Sequence, residues 1–387
     1  MRGECCRVCP QLRRIKSLRT IFFGVVPRLG NPGKRSIPAA GRKTLQELMF
    51  KPDEIDFYTD HYFLNSRIAC EKAGSHLRVV YQVFQRSQAV LCGIRYVLEL
   101  LGHLPPEVMI HGLEDGSRIT PMESVLHITG PVTELLEYET AYLGLLSRMT
   151  RVATNVRAAV EAAGGKPILF FAARFDVPEA QQYDGYAAKV GGAAGASTEA
   201  EARAFAAPAL GTMPHALIAA CKGDTVKAAL ALAQALPEEP IWALVDFEND
   251  SASTSVKVFQ AFRKRGLKLA GVRLDTAHDV TDKTLERLGI QKPGVNVELV
   301  KQVRRALDEA GGLQVKIAVS GGFTATRIAE FEAAGAPVDT YGVGEFLFSG
   351  STPFTSDIVG YYEGEQLIEC AKIGRSYKPN PRFRRLR

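Results

Sequence analysis

The stretch VKIAVSGG (315–322) is followed, after one helical pattern, by DTYGVGEFL (339–347). Each is a short apolar run that ends in glycines, which is typical of a strand buried on both faces of a parallel sheet and followed by a tight turn. Glycine loops of this kind let backbone N–H groups approach an anion closely. The residues predicted to hold a phosphate are Ser320, Gly321, Gly322, Gly342 and Gly344. The alternative is that these glycines serve only the turns.

Five further apolar runs precede this pair and alternate with helical patterns. They are PILFFAA (167–173), AAGAS (193–197), PALGT (208–212), PIWALVDF (240–247) and LAGVRLDT (269–276). Polar residues follow or close most of the runs, and the carboxyl ends of barrel strands are where substrate sites form. An open doubly wound sheet would gather such groups at one switch point instead. Residues 166–350 are therefore predicted to form an α/β fold, a seven-stranded βα barrel.

The preceding segment, residues 49–165, has a different pattern of predicted secondary structure. From His76 onward it reads as short strands separated by turn signals. A long helix is predicted next, with Pro131 in its first turn and Gly164 at its end. This segment is predicted to be a separate N-terminal domain with a linking helix, and residues 351–387 are predicted to pack back on it and to end in a basic tail.

Charge is unevenly distributed along the 387 residues. The formal net charge is +6, yet residues 1–43 carry 11 Lys and Arg against one acid, and residues 378–387 add five basic residues. The remaining 32 basic and 41 acidic residues give 44–377 a net −9. Because phosphate-backbone affinity needs clustered cations, nucleic-acid binding by this body is not expected. No run approaches the roughly 18 apolar residues of a membrane span, so no membrane association is expected either.

The first 48 residues are predicted to be a basic extension, either disordered or an artefact of the start site, because Met49 opens a plausible natural beginning. Their Arg-rich, acid-poor composition also resembles a transit peptide. The cysteines of the body, Cys70, Cys92, Cys221 and Cys370, are isolated in sequence, and each is expected to be a small buried apolar residue. Isolated cysteines are typical of a reducing compartment, so a cytoplasmic location is expected.

Several polar residues at strand ends have the chemistry of an active site. Arg273 and Asp275 alternate with apolar neighbours, so both point to one side of their strand, as a functional pair or as a structural ion pair. Asp246 ends another strand and suits Mg²⁺. The carboxylates that follow it, Glu248 and Asp250, fit a solvated loop or a helix start better than a metal site.

Other candidates lie in three motifs. GTMPHALI (211–218) places Thr212 and His215 just beyond a strand, where an isolated histidine more often caps or packs than reacts. FFAARFDVP (170–178) places Arg174 and Phe175 after the first barrel strand, and an arginine fork beside an aromatic ring can bind a planar carboxylate. FYTDHYF (57–63) fits a core-facing helix turn as well as an aromatic clamp.

These motifs occur together, in order, and resemble the nicotinate and quinolinate (type II) phosphoribosyltransferases from about residue 49 to 360. FYTDHYF, GTMPHAL and VRLD are the specific part of the resemblance. The resemblance implies an N-terminal α/β sandwich packed on an incomplete seven-stranded barrel, usually in a homodimer with active sites near the interface. It also implies the reaction of nicotinate with 5-phosphoribosyl-1-diphosphate in NAD salvage, with Mg²⁺ and with ATP as co-substrate.

The resemblance assigns roles to residues of this chain. Tyr58 would stack on the pyridine ring, in the neighbouring subunit's site, and Arg174 would contact the nicotinate carboxylate. Asp275 would face the pyridine nitrogen or the ribose, with Arg273 beside it. His215 would be the histidine phosphorylated by ATP, and Asp246 would lie near Mg²⁺ and pyrophosphate. The glycine loops would hold the ribose 5-phosphate.

The sequence also departs from the family pattern. The tail has no cysteine, so the four-cysteine zinc module of some relatives is not expected. GGAAGAST (191–198) has alanine where relatives often have aspartate, and FFAARFD follows the arginine-bearing strand end loosely. The alternatives are a decarboxylating quinolinate phosphoribosyltransferase, which needs more pocket cations, and a sugar-phosphate barrel lyase or isomerase, which needs a lysine or a base at a strand end.

Overall fold

A computed structural model describes residues 51–387 of the chain. The basic extension predicted over residues 1–48 lies outside this range. The described residues form a mixed α/β structure with two main sheets, one antiparallel and one parallel, and a single buried apolar cluster runs through both.

The antiparallel sheet contains strands from both ends of the described chain. The strands are β1 (Arg78–Gln85), β3 (Met109–Gly112), β5 (Ser124–Pro131), β12 (Phe354–Glu363), β13 (Gln366–Glu369) and β14 (Arg384–Arg385). Their order is β13-β12-β1-β5-β3-β14, and β2 (Ala89–Val90) pairs separately with β4 (Arg118–Ile119). The C-terminal strands therefore return to the N-terminal sheet and extend it at both edges.

The N-terminal helices are α1 (His61–Lys72), α2 (Ile94–Leu100), α3 (Val132–Leu135) and α4 (Glu139–Ala162), with 3₁₀ turns at Pro52–Tyr58 and Leu136–Tyr138. The long helix α4 begins at Glu139, but α3 and the 3₁₀ turn Leu136–Tyr138 lead into it without a break, so helical backbone begins at Val132, directly after Pro131. The prediction that Pro131 itself lies in the first turn is wrong. Pro131 is still extended and pairs with Arg78 in the sheet. The predicted end is confirmed, because Gly164 and Gly165 adopt positive φ angles of 57° and 99° just after α4.

The parallel sheet forms the barrel half of the molecule. Its strands are β6 (Ile168–Phe170), β7 (Gly195–Ala196), β8 (Ile241–Leu244), β9 (Leu269–Leu274), β10 (Lys316–Val319) and β11 (Thr340–Val343). They pair in the order β7-β6-β11-β10-β9-β8, so the last strand returns to the first and the sheet curls. The described sheet has six strands, and the prediction of a seventh at 208–212 is not met.

The segment predicted as that strand instead spans the open side of the sheet. The Leu210 N–H donates to the Ala196 carbonyl at 2.8 Å, and the Met213 N–H donates to the Trp242 carbonyl at 3.2 Å. One extended segment thus bonds to β7 at one end and to β8 at the other, without a continuous ladder to either. This arrangement closes the curled sheet loosely between β7 and β8.

Helices follow most strands of the curled sheet. They are α5 (Gln181–Gly191), α6 (Glu199–Ala202), α7 (His215–Ala220), α8 (Thr225–Ala235), α9 (Ser251–Lys264), α10 (Lys283–Glu286), α11 (Val297–Glu309) and α12 (Ala325–Ala333). Short 3₁₀ turns lie at Ala173–Phe175, Pro178–Ala180, Arg203–Phe205 and Glu345–Phe348. In α11, side chains spaced one turn apart, Leu299, Val303 and Leu307, are buried against the sheet.

Among residues 51–387, no helix has the length and apolar character needed to cross a bilayer. The four described cysteines are free thiols; Cys92 is buried, whereas Cys370 is exposed, unlike the small buried residue expected there.

Candidate active site

His215 and Asp246 meet at the carboxyl end of β8. His215 is the first residue of α7, and its Nε2 lies 3.0 Å from Oδ2 of Asp246. The imidazole is 47% exposed, whereas the Asp246 side chain is 6% exposed. Burial raises the pKa of Asp246 above its ordinary value, His215 opposes the rise, and nearby Asp275 adds to it. The second oxygen, Oδ1, is buried without a partner among the described residues.

Arg273, Asp275 and Ser320 form a second group at the ends of β9 and β10. Ser320 Oγ donates to Asp275 Oδ1 at 2.8 Å, and Arg273 Nη2 lies 3.7 Å from Asp275 Oδ2. The predicted same-side placement of Arg273 and Asp275 is confirmed by this contact. The Arg273 Nε is buried and no described group accepts from it.

The two groups share one electrostatic environment. Burial lowers the pKa of Arg273 below its ordinary range, the carboxylates of Asp275 and Asp246 oppose this, and Arg174 adds to it. Arg273 nevertheless keeps its positive charge, because a guanidinium is not deprotonated in proteins. Strands β8, β9 and β10 are neighbours, so their carboxyl ends bring these charged side chains together at one end of the curled sheet. We call this end, which carries His215, Asp246, Arg273, Asp275 and Ser320, the mouth.

The first glycine loop opens toward that mouth. Gly321 and Gly322 are exposed and have φ angles of 88° and 69°, a backbone region that residues other than glycine rarely adopt. A Cβ at Gly321 would lie 3.3 Å from Asp275 Oδ1. The Arg327 guanidinium donates to both loop carbonyls, at 2.7 and 3.1 Å. These bonds turn the carbonyls toward Arg327 and fix the shape of the loop.

The second glycine loop is packed against aromatic rings. A Cβ at Gly342 would lie 2.6 Å from the ring of Phe171, and one at Gly344 would lie 2.6 Å from the ring of Phe175. Gly342 is buried. These contacts give both glycines a packing role, and their predicted contact with a phosphate stays a prediction. Phe171 was missed by the sequence analysis because it reads as the interior of an apolar strand.

The remaining barrel candidates lie on loops. Arg174 and Phe175 belong to the 3₁₀ turn after β6, and both side chains are exposed. No described carboxylate forms an ion pair with Arg174. Thr212 is half-buried in the segment that spans β7 and β8. All three face solvent at least in part, so a ligand can reach them.

Tyr58 lies on the N-terminal domain. It ends the 3₁₀ turn Pro52–Tyr58, and the next residue, Thr59, donates its hydroxyl to the Glu137 carbonyl at 2.6 Å. Helix α1 begins at His61 and has no buried side chain. Within the motif Phe57, Tyr58 and Tyr62 are exposed, whereas Phe63 is partly buried and packs against the core, so this helix turn faces the core through one ring only.

Glu248 and Asp250 are engaged in local structure. Glu248 accepts from the Thr225 N–H and hydroxyl at the start of α8, and Asp250 pairs with Arg287. Helix capping and a loop ion pair account for both carboxylates. They contrast with Asp246, whose Oδ1 is left for another ligand.

The residues suit Mg²⁺ bound partly by substrate. Within residues 51–387, no group of three or more His, Cys, Asp and Glu side chains could hold a metal ion. Mg²⁺ often binds through one or two carboxylates, waters and substrate phosphates, and does not need an all-protein cage. The orphaned Oδ1 of Asp246 is a suitable oxygen ligand.

Two family models match the chain. The quinolinate phosphoribosyl transferase N-terminal domain matches residues 58–150, and the C-terminal domain of the same family matches residues 152–353. The boundary between them falls inside α4.

Individual relatives agree with the family models. Nicotinate phosphoribosyltransferase pncB1 of Mycobacterium tuberculosis is 29% identical over 278 residues, covering 70% of this chain and 57% of the relative. The chain thus spans little more than half the length of that curated relative. The crystal structure of nicotinate-nucleotide pyrophosphorylase from Pyrococcus furiosus is 31% identical, with a TM-score of 0.72 over 87% of this chain and 82% of the other. Human nicotinic acid phosphoribosyltransferase, at 19% identity and a TM-score of 0.61, shares the fold. With its curled parallel sheet, its antiparallel partner sheet and matches to both family domains, the chain belongs to the quinolinate phosphoribosyl transferase family.

Proposed function

We propose that this protein is a nicotinate phosphoribosyltransferase, which joins nicotinate to 5-phosphoribosyl-1-diphosphate and releases nicotinate mononucleotide and pyrophosphate in NAD salvage. The names of the curated relatives support this activity. The observation that carries it is the half-exposed His215 paired with a nearly buried Asp246, beside the Arg273–Asp275–Ser320 group.

The proposed reaction forms a bond from the pyridine nitrogen to ribose C1 and breaks the bond from C1 to a pyrophosphate oxygen. Positive charge develops on the sugar as pyrophosphate leaves, so carboxylates fixed nearby stabilise the transition state. Asp275 is suited to this task because Ser320 and Arg273 hold its two oxygens. The ring nitrogen is already nucleophilic, so positioning, more than base catalysis, carries the rate.

Three parts of the mouth would bind the substrates. Arg174 would pair with the nicotinate carboxylate, and Phe175 would lie against the pyridine ring. Ser320, Gly321 and Gly322 would hold the 5-phosphate, with Gly342 and Gly344 closing the far side. Asp246 would hold Mg²⁺ through Oδ1, and the ion would supply positive charge to the departing pyrophosphate.

ATP coupling is part of the proposal. Because Nε2 of His215 bonds to Asp246, Nδ1 is left to attack the γ-phosphorus of ATP, forming a P–N bond while ADP leaves. Asp246 would stabilise the positive charge that the imidazole gains as this bond forms. The exposed position of the ring leaves room for the nucleotide.

We also propose a homodimer in the cytoplasm. No side chain of helix α1 is fully buried within its own subunit, although Phe63 and Cys70 pack against the core, and the exposed aromatic residues Phe57, Tyr58 and Tyr62 lie on and beside the helix. A second copy covering this surface would bring Tyr58 to the neighbouring mouth. The free thiols agree with a reducing compartment.

Quinolinate phosphoribosyltransferase is the second candidate, favoured by the name of the family whose models match. Quinolinate carries two carboxylates and requires cations for both. At this mouth Arg273 is already paired with Asp275, and Arg174 is the exposed cation. That inventory favours the single carboxylate of nicotinate.

A substrate comparison tests the proposal. Protein is incubated with phosphoribosyl diphosphate, Mg²⁺ and nicotinate, nicotinamide or quinolinate, and mononucleotide is measured, with carbon dioxide release monitored for quinolinate. Mononucleotide is expected from nicotinate alone. Turnover of quinolinate alone, or of none of the three, would refute the proposed activity.

A further inference from the structure

Arg148, in the middle of α4, makes contacts that no strand-end motif predicted. Its Nε and Nη2 donate to the two oxygens of Asp184 at 2.9 and 2.8 Å, and its Nη1 lies 2.9 Å from Oδ2 of Asp176. The Asp184 side chain is 2% exposed and lies on α5. All three nitrogens of the Arg148 guanidinium fork are thus engaged by two carboxylates that come from different elements.

Asp176 connects this fork to the mouth. It directly follows the 3₁₀ turn Ala173–Phe175, which carries Arg174 and Phe175. Its Oδ1 accepts from the Val177 N–H at 2.8 Å, so both of its oxygens are held. Although partial burial opposes the effect, the Val177 N–H and Arg148 lower the pKa of Asp176 below its ordinary value. The carboxylate is therefore charged at neutral pH and pulls the end of the turn onto α4.

Arg148 also contacts the turn that follows β11, the strand that pairs with β6. Its guanidinium carbon lies 5.5 Å from the centre of the Phe348 ring, at the end of the turn Glu345–Phe348 that follows Gly344. Gly344 in turn leaves no room for a Cβ beside Phe175. Because β6 pairs with β11, one arginine contacts the loops that follow two neighbouring strands.

We propose that Arg148 is a positioning residue that fixes the turn carrying Arg174 and Phe175, and through it the affinity for the carboxylate-bearing pyridine. The inference rests on the proposed function. Lysine cannot replace this fork, since one ammonium group cannot make three directional bonds to two carboxylates in fixed planes. The competing explanation is an ion pair that serves stability alone.

The chain offers a matched control for that explanation. Arg304 on α11 is also a three-way fork, with Nε donating to Asp308 at 2.7 Å and its other nitrogens donating to the Val315 and Gly312 carbonyls at 2.6 and 2.8 Å. These partners lie at the opposite end of β10 from Ser320. Arg304→Lys should therefore report what the loss of a comparable fork does to the fold alone.

The test measures KM for each substrate in the wild type, Arg148→Lys and Arg304→Lys. Arg148→Lys is expected to raise KM for nicotinate about tenfold or more and to leave KM for phosphoribosyl diphosphate within about twofold. Arg304→Lys should change neither. Equal effects of Arg148→Lys on both KM values, or a loss of active protein with both KM values unchanged, would overturn the proposal.

A second readout separates this inference from the activity on which it rests. Amide hydrogen exchange at residues 172–178 should become faster in Arg148→Lys but not in Arg304→Lys, whatever substrate the protein uses. A wild type inactive on every pyridine would refute the proposed function. Unchanged exchange at this turn in Arg148→Lys would refute the positioning role, whether or not the wild type is active.

Discussion

Replacing Asp275 tests the proposed stabilisation of the sugar cation most directly. Its Oδ1 accepts a hydrogen bond from Ser320, and its Oδ2 lies 3.7 Å from Arg273 Nη2. Asp275→Asn removes the charge but keeps an oxygen for Ser320, whereas Asp275→Ala removes both. Ser320→Ala removes only the hydrogen bond. The three variants therefore separate charge from position.

The size of the effect follows from the distances. At 3.7 Å and an effective dielectric constant of about 20, the attraction between Arg273 and Asp275 is about 4 kcal/mol before solvation is counted. Asp275 is 28% exposed and Asp246 also faces Arg273, so the net loss of unfolding free energy in Asp275→Ala should be about 1–3 kcal/mol. A carboxylate at a comparable distance from the sugar cation contributes about 3 kcal/mol, or about 150-fold in kcat/KM.

Steady-state kinetics with nicotinate and saturating phosphoribosyl diphosphate would measure this loss. Both Asp275 variants should lose about 100-fold or more in kcat/KM, and Ser320→Ala about tenfold. Asp308→Ala breaks an arginine–carboxylate pair on α11, away from the mouth, and should leave kcat/KM unchanged. Wild-type kcat/KM in Asp275→Asn would show that the charge does not act in the transition state, and would refute the assigned role.

Three further predictions concern other parts of the molecule. His215→Ala should abolish stimulation by ATP while leaving residual transfer in an assay with and without ATP; stimulation that survives would exclude a phosphohistidine. Gly342→Ala would place a Cβ 2.6 Å from the Phe171 ring, so it should cost about 1–3 kcal/mol in urea unfolding and raise KM for the pyridine; an unchanged midpoint would contradict this packing. His127 lies between the Tyr377 and Phe383 rings, and burial lowers its pKa to about 4. It folds as the neutral form, so its contribution is complete above its ordinary pKa of 6.5 and falls as pH drops toward 4. The wild type should therefore lose about 2 kcal/mol more than His127→Gln between pH 7 and pH 5, and parallel losses would argue against a buried neutral histidine.

The sequence predicted most barrel strands because a strand covered on both faces is apolar throughout. PALGT (208–212) has that composition as well, yet it forms no strand. Its Leu210 N–H bonds to Ala196 on one side, and the next residue after the stretch, Met213, bonds to Trp242 on the other. That division depends on how far the curled sheet opens between β7 and β8, which no local pattern encodes.

Site residues were predictable where chemistry and strand ends coincide. His215 and Asp246 were identified separately, 31 residues apart, and their 3.0 Å contact depends on how the segment after β7 places the start of α7 beside the end of β8. Arg148 could not be identified in this way. It lies inside a long helix, where an arginine normally faces solvent. Its positioning role depends on ion pairs with Asp176 and Asp184, which belong to other elements.

The charges at the mouth bear on substrate choice more than the net charge of the chain does. Arg273 lies near Asp246, Asp275 and Arg174, and the formal charges of these two arginines and two carboxylates sum to zero. These four charges give no net attraction for a polyanion, so phosphoribosyl diphosphate would need N–H donors from Gly321 and Gly322 together with a divalent cation. Within residues 51–387, Arg273 is already paired with Asp275, while no carboxylate forms an ion pair with Arg174. One unpaired guanidinium matches one carboxylate, which is the charge of nicotinate. A second carboxylate, as in quinolinate, would need a further cation, and Arg273 is already beside Asp275.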